Sequence, residues 1–168
     1  MKQEIRGSNS SKSAECPPRL VRRAYQNSSH SPPMSPVRVG ILHSLSGTRA
    51  ISEAPLIDAS LMAIAQINQT GGVLGQSIEP VIEDGASDPA LFEAKARNLI
   101  QHAQVNTIFS CCTSATVKSI LPVFEELNAQ LWYPGQSEGL NCSKNIFCTG
   151  SCPNQQVEPA VTWLLHRS

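Results

Sequence analysis

The chain is short of the features that mark many specialised proteins. Aromatic side chains make up 5% of its 168 residues and charged ones 15%. Thirteen basic residues stand against thirteen acidic ones, so no net field draws the chain to nucleic acid or to an anionic membrane. No apolar run approaches the ~20 residues that cross a bilayer, and Leu61-Met62-Ala63-Ile64-Ala65 is only of core-helix length. The six cysteines contain no CxxC pair, which excludes the spacing of a zinc ribbon or a redox motif. Most of them are expected as small buried residues. A bridge from the Cys111–Cys112 pair to Cys142 stays open in an oxidising compartment. His30, His43, His102 and His166 are scattered without ligand spacing, so neither a metal site nor a cofactor is implied.

What is present falls into two parts. Residues 1–36 are rich in Ser, Pro, Asn and Arg and poor in apolar periodicity, the composition of a disordered leader. Arg19, Arg22 and Arg23 are not followed by an apolar stretch, so no signal peptide is read there. From Val37 the chain alternates. Val37-Arg38-Val39-Gly40-Ile41-Leu42 reads as a buried parallel strand, and Pro55 to Gln69 as a helix with Ile57, Leu61, Ile64 and Ile67 on one face. Pro55 is taken as a first-turn proline. Ile78 to Glu83 reads as a second strand. Asp88-Pro89 then caps a helix whose inner face is Phe92, Ala96 and Leu99. Strand Thr107-Ile108-Phe109, helix Val117 to Leu127, strand Leu131-Trp132-Tyr133, strand Asn145-Ile146-Phe147 and a last helix from Asn154 to Leu165 follow. The order predicts an α/β fold, a doubly wound, mostly parallel sheet over residues 37–168.

In such a sheet, ligands bind outside the carboxyl ends of the strands. Three hydroxyl-bearing segments leave that edge: His43-Ser44-Leu45-Ser46, Ser110-Cys111-Cys112-Thr113-Ser114, and Tyr133 before Pro134-Gly135. Ser114 takes the helix N-cap position on this reading, and capping alone accounts for Thr113 and Ser114. The functional alternative is that they face a guest, with first-turn N–H groups left free beside them. No charged side chain lies between Ser110 and Val117, which suits a small neutral polar molecule. Gly71-Gly72-Val73-Leu74-Gly75 follows a helix rather than a strand, so it reads as a turn and not as a phosphate loop. A hydrolase built on His43, Ser44 or Ser46 lacks the G-x-S-x-G elbow.

The run VRVGILHSLSGTRAISEAPLIDASLMAIAQINQTGGVLG, the segments ASDPALFEAKARNLI and SATVKSILPVFEELN, and the tail EGLNCSKNIFCTGSCPNQQVEPAV together resemble the first lobe of type I periplasmic binding proteins, in the urea- and short-chain-amide-binding subgroup. The resemblance implies no catalysis. Two lobes close on a small amide, urea-like ligand, and the permease of an ABC transporter reads the closed form; a cytoplasmic relative senses amides instead. It implies a ligand set of Ser46, Cys112, Thr113, Ser114, Tyr133 and Gln136. It also implies three lost rings: Cys112 stands where the subgroup has an aromatic, Ser137 replaces another ahead of Glu138-Gly139, and Cys148 replaces a third near Phe147. Location is periplasmic by resemblance and cytoplasmic in the sensing alternative. The sequence stops before a second lobe, so 37–168 is read as an incomplete N-terminal lobe. One wall leaves much of a guest in water, against the roughly 70–90% burial of a small-molecule site, and weak binding is expected.

Overall fold

A computed structural model describes residues 35–110, 113–138 and 143–167. Nearly all of the leader lies outside the described residues, and so do Cys111, Cys112 and Cys142 with their bridge. The elements are β1 (Val37–His43), α1 (Ala50–Gln69), β2 (Ile78–Asp84), α2 (Pro89–Gln101), β3 (Thr107–Ser110), α3 (Ser114–Glu126), β4 (Gln130–Tyr133), β5 (Ile146–Cys148) and α4 (Pro153–Leu165). The five strands form one parallel sheet in the order β2-β1-β3-β4-β5. This is the doubly wound α/β arrangement that the alternation predicts.

Alternation along each strand divides the sheet into two faces. Leu42, Ile108, Leu131, Tyr133 and Ile146 join the core made by α2 and α3, with Phe92, Ala96, Leu99, Val117, Ile120 and Phe124. Gly40 lets the layers approach, because a Cβ there would lie 2.8 Å from Cγ1 of Ile108. On the other face Val39 and Ile41 meet α1, with a groove of about 300 Å³ between them and Ser60, Ala63, Ile64 and Ile67. Phe109, Trp132 and Phe147 continue that face as a stacked row, their centroids 6.1 and 4.7 Å apart.

α1 corrects two expectations. It begins at Ala50, so Pro55 is inside the helix rather than in its first turn. The N–H that Pro55 lacks would have bonded the carbonyl of Ile51, a residue 89% exposed, so the lost bond falls on the solvent side of the helix. Twenty residues long, with a mean hydropathy of 1.3 over its most apolar window, α1 also has the length and composition to cross a membrane. Here it lies against β1 and β2. Only Ile57 of its predicted face is fully buried; Ile67 is exposed.

α4 carries Val157, Val161, Leu164 and Leu165 as its sequence predicts, but none of its residues is buried. Cys148 is exposed and Cys152 half-buried, both free, against the expectation of buried thiols. The reason is position: Cys148 ends the edge strand, paired on one side only, with Tyr133.

The glycine-rich segment is a tight turn. Val73 and Gln76 exchange N–H···O bonds of 2.8 and 2.9 Å around Leu74 and Gly75, both at positive φ (51° and 81°). That is the two-residue turn that prefers Asn-Gly. Leu74 is 91% exposed and contributes no packing there. Leu74→Asn is expected to stabilise the chain by about 1 kcal/mol. Thermal denaturation reading no rise in Tm would contradict this.

Candidate functional site

Because β1, β3 and β4 are parallel neighbours, their exits share one edge. The β1 exit carries Ser44, Leu45 and Ser46, the β3 exit carries Thr113 and Ser114, and the β4 exit carries Tyr133 and Gln136. Cys112 lies outside the described residues.

The β1–α1 loop is held from two sides by carboxylates. Asp84 ends β2 opposite His43 in the ladder. Its Oδ1 accepts from the N–H groups of Leu45 (2.8 Å), Ser46 (3.3 Å) and Ala86 (2.8 Å), and its Oδ2 accepts from the Ser46 hydroxyl (2.7 Å). Burial raises the Asp84 carboxyl, but the Ser46 hydroxyl and the three N–H donors outweigh it and hold it below the ordinary carboxylate range. From α1, the buried Glu53 accepts from the Ser44 N–H at 2.7 Å, with Nδ1 of the buried His43 at 4.0 Å from the same oxygen.

The facing β2–α2 loop is strained to meet this one. Ala86 and Ser87 both take left-handed conformations (φ 47° and 62°), each costing roughly 1–2 kcal/mol. Hydrogen bonds hold them there. The Ser87 N–H donates to Oγ of Ser44 (3.0 Å), and its hydroxyl donates to the Ser46 carbonyl (3.2 Å) while accepting from the Arg49 N–H (3.0 Å).

At the β3 exit the helix cap is Thr113, not Ser114. Thr113 has extended backbone angles, and its Oγ accepts from the Thr116 N–H at 3.3 Å. Ser114 is the first helical residue, and its hydroxyl donates to Oε1 of Glu138 at 3.1 Å. The N–H groups of Ser114 and Ala115 belong to the first turn, which offers them no intrahelical acceptor.

Tyr133 is only 3% exposed, with its ring in the core and its hydroxyl donating to the Gln136 carbonyl at 3.0 Å. It shapes the β4–β5 connection. The Gln136 side chain is on the surface and Ser137 is buried. The supporting carboxylates Glu53, Asp84 and Glu138 were not among the expected site residues. An acid in the first turn of α1 and one at the end of β2 are visible in the sequence, but their acceptor roles depend on pairing across the sheet.

The hydroxyl- and amide-bearing loops thus leave the carboxyl edge of a doubly wound parallel sheet, the edge at which open α/β sheets bind ligands. Residues 37–168 match the family described as periplasmic binding protein domain, and the chain belongs to that family. Its fold is similar to that of a substrate-binding periplasmic protein from Ralstonia solanacearum (TM-score 0.72, 18% identity, covering 79% of this chain and 38% of that one). It is also similar to a fatty acid ABC transporter substrate-binding protein from Thermomonospora curvata (TM-score 0.65, 24% identity, 83% and 36%). A third is the branched-chain amino acid transporter substrate binding protein of Streptococcus pneumoniae in complex with isoleucine (TM-score 0.62, 21% identity, 68% and 33%). The chain thus spans between 33% and 38% of these solved relatives' length.

Proposed function

We propose that this chain is the first lobe of the substrate-binding component of an ABC-type transport system, working in the periplasm with a membrane permease. Its ligand on this reading is urea or a short-chain amide. The observation that carries it is the α3 N-terminus, where the Ser114 and Ala115 N–H groups stand beside a hydroxyl already bonded to Glu138. Free amides suit a carbonyl oxygen. No charged side chain sits between Ser110 and Val117 among the described residues, so a neutral guest faces no uncompensated charge from that segment. Ser46, Cys112, Thr113, Ser114 and Gln136 would contribute contacts, and Tyr133 the support beneath. The solved relative holding isoleucine favours a second reading, a small amino acid, whose carboxylate would use the same helix end.

The test is a titration of the ¹⁵N-labelled chain with urea, acetamide and isoleucine. Urea and acetamide are expected to shift the Ser114 and Ala115 amides with Kd on the order of 1 mM or weaker, as a single wall allows. Shifts from isoleucine alone would move the assignment to amino acids. Shifts elsewhere, with none at α3, would remove the site.

A further inference from the structure

The bond between Ser46 and Asp84 has a consequence for which end of a ligand each wall can take. A serine hydroxyl has one proton and two lone pairs. The Ser46 proton is committed at 2.7 Å to Oδ2 of Asp84, while Oδ1 of the same carboxylate is filled by three backbone N–H groups. An ionised carboxylate accepts only, so the bond cannot reverse. Glu53 fixes the loop two residues earlier by taking the Ser44 N–H, and Ser87 fixes the Ser46 carbonyl, so the loop has little freedom to turn the hydroxyl elsewhere. Ser46 itself is exposed at the edge.

We infer that Asp84 is a positioning residue that locks Ser46 as a hydrogen-bond acceptor, so that the β1–α1 loop receives the N–H end of the ligand. The inference rests on the proposed binding edge for its ligand and on the Ser46–Asp84 geometry for its polarity. It gives the edge a direction. Donors lie at α3 for the ligand's oxygen, and an acceptor lies at Ser46 for its nitrogen. A guest whose nitrogens carry no hydrogen would leave the Ser46 lone pairs unmatched.

The experiment has two arms on the whole chain. In the first, the ¹³Cγ signal of Asp84 is followed against pH with no ligand present. Ser46→Ala removes one donor, so the Asp84 transition is expected to move to higher pH while the Leu45 amide keeps titrating with it. An unmoved transition would overturn the proposal. In the second arm urea and tetramethylurea, which has no N–H, are titrated while the Ser46 amide is read. Urea is expected to shift it and tetramethylurea is not. Asp84→Asn puts an NH₂ donor opposite Ser46 and frees the hydroxyl proton, so urea is expected to bind about tenfold more weakly and the discrimination to vanish. Ser87 amide shifts close to wild type would show that the loops still stand. Equal response to both ureas in the wild type, or unchanged discrimination in Asp84→Asn, would overturn the inference while leaving urea binding at α3 intact. Silence at α3 from both ureas would instead count against the binding edge, with the first arm still deciding the state of Ser46.

Discussion

Phe92→Ala is expected to cost about 3–5 kcal/mol, a large part of the roughly 5–15 kcal/mol that holds a typical domain folded. Phe92 is 1% exposed and belongs to the core between α2 and the sheet. Its ring also lies under Gly85, where an added Cβ would run into it. Gly85 joins Asp84 to the strained pair Ala86–Ser87, and its N–H donates to the His43 carbonyl at 2.9 Å. Removing the ring therefore opens a cavity beneath the loop that holds Ser46. Guanidinium chloride unfolding should show the midpoint fall, and the Ser46 and Ser87 amides should broaden in the variant at low denaturant. A loss under 1 kcal/mol would mean that the ring does not support the loop.

The elements that were legible from sequence are those whose signals are local. Asp88-Pro89 starts α2 as read, with Asp88 accepting from Ala90 and Leu91, and Phe92, Ala96 and Leu99 are its buried face. Alternation of strands and helices points to a parallel sheet but not to its order, in which β1 stands between β2 and β3. α1 began earlier than its periodicity because its N-cap, Arg49, makes no side-chain cap bond and so leaves no residue-type signature. Thr113 and Ser114 are both capping residues, and only the extended backbone of Thr113 separates them. The burial of Tyr133 could have been read from the period of two, since it shares a face with the core residue Leu131. Asp84 and Glu53 could not be read as anchors, because their partners lie 38 or 39 and nine residues away, brought close by the β1–β2 register and by the return of α1.

Glu53→Ala is expected to destabilise the chain by about 2–3 kcal/mol, and Glu53→Gln by clearly less. Glu53 is 4% exposed and Ser44 not at all, so the Ser44 N–H has no water to turn to. Alanine leaves that buried donor without an acceptor, which is the costly case. Glutamine keeps a carbonyl oxygen at the same reach and loses only the charge. The two substitutions differ in a second reading as well. With the acceptor gone, the Ser44 amide should exchange with solvent at a rate set by local opening of the loop. With glutamine it should stay protected up to a free energy near that of global unfolding. Equal costs for the two variants would place the value of Glu53 in its charge, beside His43 and the α1 N-terminus, rather than in the bond to Ser44. The loop would then be held mainly by Asp84 at the end of β2, and the Ser46 hydroxyl would keep its orientation in both variants.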